Sequence, residues 1–159
     1  MRITDQYFWN FVFSLFFIAL VVFAAIVLDS VGYKTIEDLE VIDYVLMILA
    51  SFRLIRLFVY DKITAFFREQ FYDAEVSRKE VRLVKPESGP RRTVLELLIC
   101  PWCFGIWATA LVVFFYMLTP IFWYPILFLA LSSVASALQV TMNMIGSKAE
   151  ELKSNIEGK

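Results

Sequence analysis

Four apolar runs alternate with polar segments along the chain, at residues 7–28, 42–60, 98–118 and 122–145. About 20 residues of helix cross the hydrocarbon of a bilayer, so each run is the length of a membrane span. The first is unbroken and rich in Phe, Val and Ala, with Tyr7 and Trp9 where an interfacial aromatic belt belongs. It is longer than the apolar stretch of a signal peptide, and only Arg2 supplies a basic flank, so a retained helix is expected.

The polar segments predict where helices start and stop. Thr35 followed by Asp38 has the spacing of a capping box, predicting a helix that starts near Ile36 and runs into the second span. Thr93 with Glu96 and Ser147 with Glu150 repeat that spacing. Beyond the second span, Ile63, Phe66, Phe67 and Phe71 recur at helical spacing, predicting that the helix continues as an amphipathic segment on the membrane surface. Residues 73–92 read as a charged loop containing the turn signal Pro86-Glu87-Ser88-Gly89-Pro90. Pro101 either opens the third span at its first turn or kinks a longer helix. Thr119-Pro120 turns the chain into the fourth span, and 146–159 reads as a polar tail.

Composition agrees: 60% of the 159 residues are hydrophobic and 17% aromatic, where a soluble domain is nearer half apolar. The expected fold is an all-α membrane protein, a single domain of about four transmembrane helices with an amphipathic helix at the cytoplasmic interface. Net charge is only −1, so its distribution matters more than its sum. Of the 15 Lys and Arg residues, eight lie between Lys62 and Arg92 and three in the tail, while the first connecting segment holds Lys34 alone and the third none. The positive-inside rule then predicts cytoplasmic N- and C-termini in a bacterial, or phage-infected host, plasma membrane.

Candidate chemistry gathers at two places. On a continuous helix, Arg53, Asp61, Thr64 and Arg68 fall within an arc of roughly 80°, with Arg56 to one side. They read either as a site for an anion such as a lipid phosphate, or as snorkelling arginines paired with Asp61 that set depth and packing. Cys100 and Cys103 read as packed thiols, as half of a zinc site needing two further ligands, or as a redox dithiol that lacks the strand-and-helix setting of thioredoxin. The packed reading, without cofactor, is the expectation. In the fourth span, Ser132, Ser133, Ser136 and Ala137 allow close helix approach or a polar pore lining. The acidic segment with Asp29, Glu37, Asp38, Glu40 and Asp43 reads as solvated.

The stretch Ala50-Ser51-Phe52-Arg53-Leu54-Ile55-Arg56-Leu57, then Asp61-Lys62-Ile63-Thr64 and Arg68, forms one half of a bipartite pattern. Leu97-Leu98-Ile99-Cys100-Pro101-Trp102-Cys103-Phe104-Gly105-Ile106-Trp107 forms the other. Together they resemble an uncharacterised family of small bacterial and phage membrane proteins, a "domain of unknown function" group that includes a sporulation-associated member. The resemblance spans roughly residue 43 to the fourth span and implies that the Arg-x-x-Arg, Asp-Lys and Cys-x-x-Cys elements belong to one site or one packing unit.

Three classes of function follow. The first is a non-catalytic membrane component, a homo-oligomer or partner of another membrane protein, with anionic lipid head groups as ligands and no nucleic acid. The second is a small oligomeric pore or membrane-perturbing factor. The third, a thiol- or metal-dependent enzyme, is the least supported. The chain has no histidine, no glycine-rich phosphate loop and no convincing carboxylate pair within a span.

Overall fold

The computed structural model describes residues 2–77 and 80–157 and is overwhelmingly helical. Helix α1 (Arg2–Val31) is the first apolar run extended at both ends. The Thr35 N–H donates to the Asp38 carboxylate at 3.0 Å, as the capping-box spacing predicts, but the result is a single 3-10 turn, Ile36–Asp38. Leu39 and Glu40 are extended, which interrupts the continuous helix expected here. A second arrangement of the same kind, Glu40 N–H to Asp43 Oδ2 at 3.2 Å, opens α2 (Val41–Val59).

The predicted run of α2 into a surface helix is also corrected. Asp61 is extended, a 3-10 turn covers Lys62–Thr64, and only α3 (Ala65–Glu69) follows. Ile63 and Phe66 stay exposed on this segment, as an interfacial element requires.

Residues 73–92 are not a loop. Strands β1 (Asp73–Ser77) and β2 (Glu80–Val84) form an antiparallel hairpin that places Glu75 opposite Arg82. Val81 and Leu83 alternate with Glu80 and Arg82 at the period of a strand, a signal hidden by the charge density. The tip residues Arg78 and Lys79 lie outside the described residues. Gly89, at φ 98°, makes the turn into α4 (Pro90–Ile99), a backbone conformation that only glycine adopts readily, and Pro90 fills the first helical position. Thr93 is therefore inside this helix and not its cap.

Cys100 is extended and Pro101 starts α5 (Pro101–Leu118), so the proline opens the span rather than kinking it. After a 3-10 turn at Pro120–Phe122, α6 (Trp123–Glu157) continues for 35 residues, about 52 Å. No helix starts at Ser147. Its hydroxyl donates to Met144 O at 3.1 Å within an unbroken helix, and the lone Gly146 costs only about 1 kcal/mol. The described part of the tail is thus a rigid extension of the span.

Central α2 packs against α5 on one side and α6 on the other. Met47, Ala50, Val112, Tyr116 and Ile126 form the buried core. Ala50 and Ala130 are almost fully buried, and such small residues let helices approach closely. Helix α1 lies outside this trio against α5 and α4. Phe17 meets Trp107 at 4.8 Å between centroids. The Gln6 amide donates to Thr93 Oγ1 at 2.8 Å, and that hydroxyl donates to Asn10 Oδ1 at 3.2 Å.

The N–H groups of Tyr33 and Lys34 donate to Met117 O at 2.9 and 3.3 Å, so the first connecting segment meets the end of α5. The start of α1 meets α4 at the opposite end. Successive long helices therefore alternate in direction. Among the described residues, Gln6–Val31, Pro101–Leu118 and Pro120–Lys153 are long and apolar enough to cross a membrane. Helix α2, with Asp43, Arg53 and Arg56 in 19 residues, falls outside that set.

Candidate functional site

The residues expected on one helical stripe do assemble, but by the chain folding back. Helix α2 ends with carbonyls that have no partner in the next turn. Thr64 Oγ1 donates to Leu57 O at 2.5 Å and to Asp61 O at 3.2 Å. Arg68 spans the same region, its Nη1 donating to Phe58 O at 2.5 Å and its Nη2 to Asp61 O at 3.2 Å. A cation here also faces the negative end of the helix dipole. Arg53 closes the cluster with an ion pair to Asp61 at 3.4 Å, its side chain 19% exposed and that of Asp61 31%. Thr64 is buried, and Arg56 stands apart from the arrangement.

Four of the five expected anion-site residues thus form a helix C-cap. Donors of Arg68 that a phosphate would need are committed to backbone oxygens of its own chain. The Phe58 ring bridges this cap to the cysteine segment, meeting Phe104 at 5.4 Å and Phe67 at 6.5 Å. The two motifs are neighbours in space.

The cysteine pair caps a helix as well. Cys100 Sγ accepts the Cys103 backbone N–H at 3.3 Å. Donation from the Cys103 side chain, then from its backbone N–H, holds the Cys100 thiol below the usual range. Both thiols are free, Cys100 half-buried and Cys103 exposed. Trp102 is 85% exposed and covers neither. Among the described residues no group of three or more His, Cys, Asp and Glu side chains comes together. A structural zinc takes four ligands, so this donor set does not fit the metal.

In α6, Ser133 is buried against α2, Ser132 and Ser136 are half-buried, and Ala137 is exposed. The Ser136 hydroxyl donates to Ser132 O at 2.8 Å. The small-residue stripe therefore divides between the helix interface and the surface, and lines no single face.

One constellation was missed by the sequence reading. Asp43, read as part of a solvated acidic segment, is buried at the first turn of α2. Its Oδ1 accepts the Tyr116 hydroxyl and its Oδ2 the Lys34 ammonium at 2.9 Å. Lys34 also sits 5.3 Å from the Tyr116 ring centroid, a cation–π contact. Beside it lies a cleft of about 510 Å³ lined by Tyr33, Lys34, Tyr116, Trp123 and Tyr124, among others. The available signal was positional. Asp43 is the one acid of that segment falling inside the apolar run, and Lys34 is its one cation.

Both ends of α2 are thus clamped by polar groups inside an all-helical, membrane-associated protein. The chain belongs to the family described as "Protein of unknown function (DUF1360)", which matches residues 46–142. It is similar to the UPF0713 protein YngL of Bacillus subtilis (strain 168), at 29% identity over 121 residues, covering 76% of this chain and 93% of that protein. It is also similar to the sporulation protein YjcA of the same organism, at 36% identity over 74 residues, covering 43% of this chain and 63% of that protein. The expected resemblance to an uncharacterised family with a sporulation-associated member holds. No solved structure gives a significant match.

Proposed function

We propose that this protein is a non-catalytic integral membrane component with four crossings, α1, α2, α5 and α6, and with both termini in the cytoplasm of a bacterial cell. Its cytoplasmic face, made of the β1–β2 hairpin, α3 and the end of α6, is the surface that meets partners. The observation that carries this reading is the use of the polar motif. Arg68, Thr64 and Arg53 hold the end of α2, and Cys100 caps α5. The residues with the most chemical potential are engaged in building the scaffold. The alternating direction of the long helices and the concentration of Lys and Arg at one end support the topology.

The α2 crossing is compatible with its charges. Asp43 sits at one end of the helix within its ion pair, while Arg53 and Arg56 lie near the other, where long side chains reach the interface. The pore reading draws less support, because Ser133 faces α2 inside the monomer.

The test is reconstitution together with cross-linking. Liposomes containing purified protein are expected to stay sealed to ions and dye. A photo-crosslinker replacing exposed Leu83 on the hairpin is expected to give a discrete adduct in cells. Conductance that Ser136→Leu abolishes, with no adduct, would replace this reading by the pore.

A further inference from the structure

Helix α6 outruns its bilayer. Counting about 20 residues from the aromatic pair Trp123 and Tyr124, the hydrocarbon ends near Asn143, yet the helix continues to Glu157. Ile145 is 56% exposed and Leu152 is 63% exposed on this projecting part. Exposed apolar side chains on a helix standing in water call for a partner.

Their spacing says which kind. Leu131, Leu138, Ile145 and Leu152 recur every seventh residue, and Ala135, Met142 and Ala149 do so four residues after each of the first three. Alternating steps of four and three are the a and d positions of a coiled coil, with Leu131 at d. All seven are exposed. The seam lies away from Ile126, Ala130 and Ser133, which α6 buries in the monomer. It runs without a break from the membrane-embedded half into the projecting half, roughly 32 Å.

We propose that this seam is a homodimer interface, in which α6 of a second copy packs parallel and in register. The self-assembly foreseen for this protein thereby gains a location and a geometry. Copies that share one topology in one membrane present their α6 helices parallel, so a meets a and d meets d without further specification. The inference needs only that shared topology and not the cytoplasmic assignment of the termini.

Five large side chains at roughly 100 Å² each, with two alanines, bury on the order of 600 Å² per copy. A standard interface takes about 800 Å² per partner, and confinement to the plane of the bilayer helps association. Within the membrane Ala135 allows close approach, and beyond it Ile145 and Leu152 bring the hydrophobic drive of water. The period of 3.5 drifts about 20° per heptad on a straight helix, which a left-handed supercoil of the pair absorbs.

The flanking positions give the geometry a signature. Lys148 at g of one copy faces Lys153 at e of the next heptad in the other, a like-charge contact that weakens the pair. Lys153→Glu converts both symmetry-related contacts into opposite-charge pairs.

Cross-linking in native membranes tests the proposal, using a Cys100→Ser/Cys103→Ser background and a membrane-permeant oxidant. Leu138→Cys, Ile145→Cys and Leu152→Cys are expected to give a disulfide-linked dimer at least tenfold more readily than Ser147→Cys on the opposite face. Adding Lys153→Glu to Ile145→Cys is expected to raise the dimer yield at low salt. No cross-link at the three d positions, or equal yields around the helix, overturns the proposal. So does a fall in yield with Lys153→Glu, which would indicate that this face binds anionic lipid.

Discussion

Asp43, at the first turn of α2, and Tyr116, near the last turn of α5, share a buried hydrogen bond that fastens the two helices at one end. Lys34 completes the contact from the connecting segment. A carboxylate in such a place is tolerable only while its oxygens are paired.

Removing either partner should therefore unlock that end. Tyr116→Phe is expected to cost about 1 kcal/mol, and Asp43→Ala about 3 kcal/mol, because it strands the Lys34 ammonium and the phenol together. Unfolding in mixed micelles measures both. The double variant should cost less than the sum of the singles, since the two share one interaction. Strict additivity would show that the pair is not coupled.

That constellation also shows where the sequence stops speaking. The apolar runs were legible because a bilayer demands an uninterrupted length of hydrophobic helix, and the caps at Thr35 and Pro101 because their geometry is local. Grouping Arg53, Asp61, Thr64 and Arg68 was correct for the wrong reason. A continuous helix would align them, whereas a break at Asp61 turns Thr64 and Arg68 back onto α2. The hairpin was hidden by its charges. The pairing of Asp43 with Tyr116, 73 residues away, depends on the antiparallel placement of α2 and α5, which no local pattern encodes.

Cys100 is assigned a role here that needs no thiol. Serine is among the best helix N-caps, so Cys100→Ser should leave stability within about 0.5 kcal/mol of the parent, while Cys100→Ala should cost about 1 kcal/mol. Thermal unfolding in detergent separates them. If serine fails as badly as alanine, sulfur chemistry is at work.

The proposed topology is open to direct labelling. In a Cys100→Ser/Cys103→Ser background, Glu37→Cys in the first connecting segment should react with an impermeant maleimide on intact cells. Ser88→Cys, ahead of α4, should react only after permeabilisation. Both positions are exposed, so accessibility does not confound the comparison. Labelling of Ser88→Cys on intact cells would invert the assignment.

Arg68 discriminates most sharply between a scaffold and a binding site at the end of α2. Its two terminal nitrogens reach Phe58 O and Asp61 O at once, a fork that the single ammonium of lysine cannot reproduce. Arg68→Lys is therefore expected to recover little of the roughly 2 kcal/mol that Arg68→Ala loses through its charged hydrogen bonds. The loss should be local, appearing as faster proteolysis between Tyr60 and Tyr72 while the α2–α5–α6 core keeps its protection. An anion site predicts a different pattern. There a lysine retains much of the affinity, as a point charge does for phosphate, and the segment stays as resistant as the parent. Limited proteolysis of both variants, with and without anionic lipid, decides between the two. Equal resistance of Arg68→Lys and the parent would move Arg68 from the scaffold to a ligand.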